Sequence, residues 1–151
     1  MKILFLGNTK ALKGVKKTAF KRCAEKTANW HNHKIKFVHY VFLSDEELLE
    51  INMRFLNHNT YTDIITFDLS TKKNVIEAEV YISTERVFEN AITYNTPHQQ
   101  EILRVMFHGL LHLVGFKDKL KSEQLTMRQA EDECLNLYRE TTQSVSRETK
   151  P

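Results

Sequence analysis

Residues 108–118 read His-Gly-Leu-Leu-His-Leu-Val-Gly-Phe-Lys-Asp, and this stretch decides how the rest of the chain is interpreted. His108 and His112 stand four positions apart, so on a helix their side chains emerge on one face about one turn apart. Gly115 suits the left-handed backbone conformation that ends a helix and folds the chain back. That turn brings Asp118 towards the two histidines. The stretch therefore predicts three convergent metal ligands at the end of a central helix.

The residue types at these positions suit a zinc ion. Zinc accepts histidine nitrogen and carboxylate oxygen, and three protein ligands with one open position are typical of a catalytic site. Such an ion lowers the pKa of a bound water to about 7, which supports hydrolysis at neutral pH. We expect one Zn²⁺ per chain on His108, His112 and Asp118, although imidazole also suits nickel and iron.

Two histidines at this spacing also occur as ordinary residues at the edge of a helix. Gly109 favours the metal interpretation. A glycine inside a helix costs about 1 kcal/mol relative to alanine, so its presence indicates that another group approaches the backbone closely.

The remaining sequence predicts an α+β fold, a small mixed sheet of about four strands with helices packed on it and the metal site at the end of a central helix. Alternating and β-rich stretches predict strands, and amphipathic stretches predict helices. The predicted strands are residues 1–6, 34–43, 62–69 and 78–83. The predicted helices are residues 10–30, about 45–55, 85–94, about 97–114 and 122–138.

Capping residues mark three helix starts. Ser44 and a glutamate three residues later form a capping box, in which each side chain satisfies an exposed backbone donor. Thr96 is the expected cap of the helix that carries both histidines, with Pro97 at its first helical position. Ser122 is the expected cap of the last helix, and Trp30 is expected among the apolar positions of the first.

Length and composition predict one domain. We expect residues 1–140 to form a single metallohydrolase domain, because 151 residues fit one core and 4 Gly with 2 Pro leave no long linker. The polar segment 141–151 is expected to be a disordered tail.

The sequence favours a cytoplasmic protein with no membrane contact. No apolar run approaches the roughly 20 residues that span a bilayer, and the apolar start at residues 3–6 is too short for a signal peptide. Cys23 and Cys134 lie far apart and form no Cys-x-x-Cys pair, which indicates free thiols in a reducing compartment.

Positive charge is concentrated in the N-terminal third. Residues 1–43 hold ten Lys and Arg against one acid, a net charge of +9, which leaves −6 for the remainder of a chain whose total is +3. This asymmetry favours contact with a polyanion. A solvated helix face is the alternative.

The motif at residues 108–118 resembles a known signature, His-Gly-x-Leu-His-Leu-x-Gly-Tyr-Asp-His, that of the YbeY family of bacterial rRNA-maturation endoribonucleases. Six of its defined positions match, and Phe116 replaces the tyrosine. Upstream, residues 51–55, 62–67 and 79–82 resemble the family in the right order. Glu131 and Leu135 fit its C-terminal helix, so the resemblance covers about residues 35–137.

The resemblance implies a zinc-dependent endoribonuclease acting in small-subunit rRNA processing and ribosome quality control. Its partners are then RNA, the small ribosomal subunit and assembly factors, with no DNA. His108, His112 and Asp118 are its expected catalytic as well as metal-binding residues. The residues expected to hold the RNA backbone are Lys13, Lys16, Lys17, Lys21 and Arg22. Trp30 and Tyr61 are candidate stacking platforms for bases, and each is also explained as core or surface filling.

Two departures from the family pattern bear on catalysis. Asp118 stands at the third histidine and Lys117 at the aspartate before it, and a carboxylate ligand makes a metal a weaker Lewis acid. Leu56 stands where the family usually carries an arginine. If that arginine holds a phosphate, His58 is the candidate to do so here, and an ordinary loop histidine is the alternative.

Three questions stay open at the level of sequence. The attack on RNA comes either from an activated water or from the neighbouring 2′-hydroxyl. A non-catalytic RNA- or ribosome-binding assembly factor is a second interpretation of the same resemblance. A metzincin-type zinc protease has the same ligand spacing, but it needs a glutamate as general base at the position of Gly109.

Overall fold

The chain folds around a four-stranded mixed sheet with five helices, as the sequence predicts. The computed structural model describes residues 1–148, with side chains described to residue 144. The strands are β1 (Lys2–Gly7), β2 (Lys34–Leu43), β3 (Ile64–Asp68) and β4 (Val75–Ser83). The helices are α1 (Lys17–Trp30), α2 (Asp45–Leu56), α3 (Thr84–Thr93), α4 (His98–Leu113) and α5 (Lys121–Glu148).

The strand order is β1-β2-β4-β3. β1 pairs with β2 and β2 with β4 in parallel, whereas β3 lies antiparallel to β4 at one edge. Parallel neighbours need a crossover connection, which α1 supplies between the first two strands. The α+β class is therefore confirmed, with the antiparallel edge strand as its mixed element.

Alternation along the strands decides which face of the sheet the helices cover. Tyr40 and Val80 belong to the row of fully buried side chains on one face. There Phe20 of α1 packs edge-on against Tyr40, and its ring lies 4.9 Å from that of Phe107 in α4. The Tyr40 hydroxyl donates to the backbone carbonyl of Met106 at 3.1 Å, which satisfies a buried polar group. This core fixes α4 across the sheet.

The predicted helix over residues 10–30 is wrong at its start. A short 3₁₀ turn occupies Thr9–Leu12, and α1 begins only at Lys17. Gly14 has φ +83°, and a Cβ there would lie 2.6 Å from Nε2 of Gln99. The chain breaks at this glycine because it passes close to the start of α4. Trp30 is 66% exposed rather than part of the apolar helix face.

Of the three predicted caps, only the capping box at Ser44 is confirmed. No side chain caps α4, whose N-cap residue is Pro97 rather than Thr96. Asn95 has positive φ and the Thr96 amide donates to the carbonyl of Ala91, so these residues close α3 instead.

The last helix starts earlier and ends later than predicted. Ser122 lies inside its first turn, because Glu123 accepts a hydrogen bond from the Leu120 amide and the helix begins at Lys121. The helix continues to Glu148, and Thr141 donates to the carbonyl of Leu137. That residues 141–151 form a disordered tail stays a prediction. Residues 149–151 of the predicted tail lie outside the described residues.

No helix within residues 1–148 is both long enough and apolar enough to cross a membrane. Even α5, at 28 residues, is strongly polar along its length.

Gly109 lies where α4 crosses β3 and β4. A Cβ at this position would lie 3.1 Å from Ile64 Cδ1, 3.1 Å from Val80 Cγ1 and 3.2 Å from Thr66 Oγ1. The close approach that the helical glycine indicated is therefore present. It presses the histidine-bearing turns of α4 against the edge strand.

Gly109→Ala is expected to lower the free energy of unfolding by about 1 kcal/mol. Overpacking costs about 1–3 kcal/mol, and the gain in helix propensity returns about 1 kcal/mol. Urea denaturation measures the difference, with Glu133→Ala on the exposed face of α5 as a control that stays within about 0.5 kcal/mol of the parent. A stabilised Gly109→Ala protein would contradict the packing role of this glycine.

Candidate metal centre

The three predicted ligands meet at the C-terminal end of α4. His108 and His112 occupy its last two turns on one face, and Asp118 reaches them from the following loop. Their side chains are 22%, 31% and 40% exposed, in that order. The cluster is therefore held by the fold and still open to solvent on one side.

The ligand atoms have the spacing of a metal site. Nε2 of His112 lies 3.1 Å from Nε2 of His108 and 3.1 Å from Oδ2 of Asp118, which lies 3.2 Å from Nε2 of His108. With ligands about 2.0–2.1 Å from a tetrahedral zinc, neighbouring ligand atoms are about 3.3 Å apart. The residues present thus fit a zinc-sized ion with one coordination position left over.

The turn at Gly115 sets the orientation of His112. Gly115 has φ +110°, and the amides of Gly115 and Phe116 donate to carbonyls in the last turn of α4. This reversal places the Phe116 carbonyl 2.9 Å from Nδ1 of His112. A carbonyl only accepts, so Nδ1 carries the proton and Nε2 of the neutral ring presents a lone pair to the cluster.

Glu131 of α5 does the same for His108. Its Oε2 accepts from Nδ1 of His108 at 2.8 Å, and its Oε1 accepts from Arg104 at 3.0 Å. Asp132 also accepts from Arg104, at 2.8 Å. Glu131 is only 5% exposed, and a buried carboxylate needs such partners. Carboxylates in this position orient metal-binding histidines and raise their basicity.

The electrostatics of the cluster favour a bound cation. Burial lowers the pKa of the His108 imidazole, but the combined effect of Glu131, Asp118 and Asp63 in raising it is larger. The pKa therefore lies above its ordinary value of 6.5. Asp63 lies close to His108, and its pKa is raised because burial disfavours its charged form, an effect that the nearby His108 opposes. The carboxylates that favour a proton on His108 also favour a metal cation at the point where Nε2 of His108, Nε2 of His112 and Oδ2 of Asp118 converge.

A cavity of about 850 Å³ opens in front of the cluster. Its walls come from α2, the loop that follows it, β3, the end of α4 and the loop after α4. The lining residues used below are His58, Leu56, Tyr61, Asp63, Asp68 and Lys119. A volume of this size accommodates a small-molecule-sized group such as a nucleotide.

Leu56 and His58 both lie at this cavity. Each is exposed, and they flank Asn57, whose left-handed conformation ends α2. The candidate phosphate contact is therefore beside the cluster.

The basic residues 13–22 lie elsewhere. Gly14 packs against Gln99 in the first turn of α4, whereas His108 and His112 occupy its last turns. At 1.5 Å per residue, Gln99 stands about 14–20 Å along the helix from the two histidines. Lys17 and Lys21 lie over the ring of Phe5 at 5.9 and 5.7 Å. Within the described residues, none of the five predicted RNA contacts lines the cavity.

The sequence interpretation missed the support that Glu131 and Arg104 give to the cluster. A signal was present, because each is a charged residue inside an apolar helical stripe. Glu131 stands four positions from both Met127 and Leu135, which are buried. It also missed Lys119, which stands next to Asp118 in the loop that carries the third ligand.

A family model described as Endoribonuclease YbeY matches residues 6–139. The chain belongs to the YbeY endoribonuclease family. The match includes the whole of the metal cluster, its support on α5 and the cavity walls, so the resemblance read from residues 108–118 is confirmed.

Curated YbeY proteins of high similarity carry the same description. Endoribonuclease YbeY of Christiangramia forsetii is 44% identical over 119 residues, which are 79% of this chain and 82% of that protein. Endoribonuclease YbeY of Flavobacterium psychrophilum is 48% identical over 101 residues, 67% of this chain and 71% of that protein. The relatives are named as RNA-cleaving enzymes.

A solved structure has the same fold. The solution structure of TM1509 from Thermotoga maritima superposes with a TM-score of 0.65 at 27% sequence identity. The superposition covers 98% of this chain and 96% of the Thermotoga protein. The two proteins therefore share one architecture over nearly their full length.

Glu131→Gln is expected to weaken Zn²⁺ binding by about ten- to a hundred-fold, because the neutral amide leaves Nδ1 of His108 without its charged acceptor. Competition with a chromophoric chelator measures the affinity. Asp132→Asn is the matched control, since Asp132 contacts Arg104 but not His108. We expect the Asp132→Asn protein to bind Zn²⁺ with an affinity close to that of the parent. Equal losses in both variants would show that the network only stabilises the fold.

Proposed function

We propose that the chain is a zinc-dependent endoribonuclease that acts in small-subunit rRNA maturation and ribosome quality control. The observation that carries the metal requirement is the convergence of Nε2 of His108, Nε2 of His112 and Oδ2 of Asp118 within 3.2 Å of one another. Membership of the YbeY family supplies RNA as the substrate.

In this proposal His108, His112 and Asp118 hold one Zn²⁺ per chain and are catalytic through it. When bound, the ion supplies Lewis-acid polarisation of a phosphoryl oxygen and activation of a water at neutral pH. Glu131 keeps the proton of His108 on Nδ1, and the Phe116 carbonyl keeps that of His112 on Nδ1. Both rings thereby present Nε2 to the same point. Nickel and iron are alternatives that imidazole also accepts.

Gly109 supports the nuclease over a metzincin-type protease. A protease of that type needs a glutamate side chain at this position, and here a single added carbon already meets three neighbours at 3.1–3.2 Å. The helix face next to His108 is therefore used for packing on the sheet.

His58 is proposed to contact the substrate phosphate. It lines the cavity beside Leu56, which offers no hydrogen-bond donor. An imidazole at this exposed position donates a hydrogen bond to a phosphoryl oxygen in either protonation state.

The basic residues near α1 are proposed to bind RNA away from the cleavage point. The residues are Lys13, Lys16, Lys17, Lys21 and Arg22. Of these, Lys13 stands next to Gly14, which packs at the Gln99 end of α4, about 14–20 Å along the helix from the two histidines. That distance corresponds to about four to six stacked nucleotides at 3.4 Å each. This arrangement favours longer RNA over short oligonucleotides. The proposed partners are rRNA, the small ribosomal subunit and its assembly factors, which implies a cytoplasmic location.

RNA cleavage measured with and without a chelator tests the proposal. We expect a labelled rRNA fragment to be cut by the zinc-loaded protein, and cutting to stop on chelation and return with Zn²⁺. Asp118→Ala is expected to lose both the metal and at least about a hundred-fold in rate, and His58→Ala to lose rate with metal content unchanged.

Product ends then identify the nucleophile. A 2′,3′-cyclic phosphate indicates attack by the 2′-hydroxyl, and its absence indicates water. Cleavage that survives complete removal of metal would contradict the mechanism. A protein that binds RNA tightly but never cuts it would instead be a non-catalytic assembly factor.

A further inference from the structure

Tyr61 is held in place from two sides. Its hydroxyl donates to Oε1 of Glu46 at 2.7 Å, and the guanidinium of Arg86 lies over its ring, 5.3 Å from the centroid. Arg86 is itself fixed by Asp45 at 2.7 Å and by Glu89 at 3.4 Å. A ring immobilised in this way loses little further conformational freedom when a ligand packs on it.

This immobilised ring nevertheless remains 48% exposed. Arg86 lies over one face, so a ligand that stacks on this ring uses the other face. A fixed, half-exposed aromatic ring is characteristic of binding surfaces rather than of cores.

Tyr61 also lies where it can contact a substrate bound at the cluster. It lines the same cavity as His108, His112 and Asp118, and among the described residues it is the only Phe, Tyr or Trp that does so. Trp30, the other candidate platform from the sequence, is 66% exposed but lies at the end of α1 and outside the cavity lining. The structure therefore separates two candidates that the sequence left equal.

The charges of the cavity favour a contact with a base over further contacts with phosphate. Asp63, Asp68 and Asp118 contribute carboxylates to its lining, whereas Lys119 is the single Lys or Arg in that lining within the described residues. Apart from a metal, His58 and Lys119 are therefore the phosphate contacts that this lining offers. Stacking does not depend on phosphate charge, and it contributes substantially to the binding of unpaired nucleotides by proteins.

We propose that Tyr61 is a substrate-contacting, specificity-determining residue, on whose free face the base of a nucleotide adjacent to the scissile phosphodiester stacks. The proposal rests on the endoribonuclease function proposed above. It assigns to Tyr61 the positioning of RNA at the metal cluster. Tyr61 would thereby supply a part of the binding affinity that the basic residues outside the cavity do not supply.

Two substitutions of Tyr61 separate stacking from anchoring of the loop. Tyr61→Phe keeps the ring and loses the hydrogen bond to Glu46, and Tyr61→Leu loses the ring as well. We expect Tyr61→Leu to lower kcat/KM for a defined RNA oligonucleotide by about five- to a hundred-fold, mainly through KM, and Tyr61→Phe to stay within about threefold of the parent. Phe88→Leu, which removes a 54% exposed ring outside the cavity lining, is the control and should leave cleavage unchanged.

An altered substrate makes the test specific. An abasic site in place of the base next to the mapped cleavage point should lower kcat/KM of the parent by about as much as Tyr61→Leu does. The same abasic RNA should lower kcat/KM of Tyr61→Leu little further, because both changes remove the same stacking contact. A 2-aminopurine at that position should be quenched on binding to the parent and not to Tyr61→Leu.

Three outcomes would overturn the inference. Unchanged KM and quenching in Tyr61→Leu would show that no base stacks there. Equal losses in Tyr61→Phe and Tyr61→Leu would show that the residue only anchors its loop. An RNA that the zinc-loaded parent does not cut would remove the proposed function, and this inference with it, whereas either of the first two results leaves the endoribonuclease proposal intact.

Discussion

The convergence of three electron-pair donors within 3.2 Å is the constraint on which the rest of the structure depends. The lone pairs of two neutral imidazoles and a carboxylate repel one another at this distance unless a proton or a metal cation lies between them. The fold brings them together from three directions. Phe116 holds His112 through Nδ1, Glu131 holds His108 through Nδ1, and the loop after Gly115 carries Asp118 to the same point.

Each layer of the fold contributes to this arrangement. The sheet and α1 fix α4 through a core around Tyr40, and the missing side chain at Gly109 lets α4 approach β3 closely enough to share one cavity with it. α5 then supplies Glu131 from the opposite side, with Arg104 compensating its buried charge. The packing of α4 on the sheet and of α5 on α4 thus determines the direction in which Nε2 of His108 and Nε2 of His112 point.

Much of this was predictable from local signals. The i, i+4 histidines, the helix-ending glycine and the mid-helix glycine each have a local physical reason, and the structure contains all three features. Features that depend on tertiary contacts were not predictable. Gly14 interrupts the first helix because α4 passes beside it, and Thr96 fails as a cap because it closes the preceding helix. Glu131 is separated from His108 by 23 residues, so only its place in an apolar stripe indicated a buried role.

X-ray absorption spectroscopy at the zinc edge of the metal-loaded protein tests most directly whether His108, His112 and Asp118 form a metal centre. We expect one zinc per chain with a first shell of four light atoms at about 2.0–2.1 Å and the outer-shell scattering of two imidazoles. Asp118→Asn should retain the two-imidazole signal with an altered first shell. A first shell without imidazole scattering, or an ion distributed over surface carboxylates, would contradict the claim that His108, His112 and Asp118 form the metal centre.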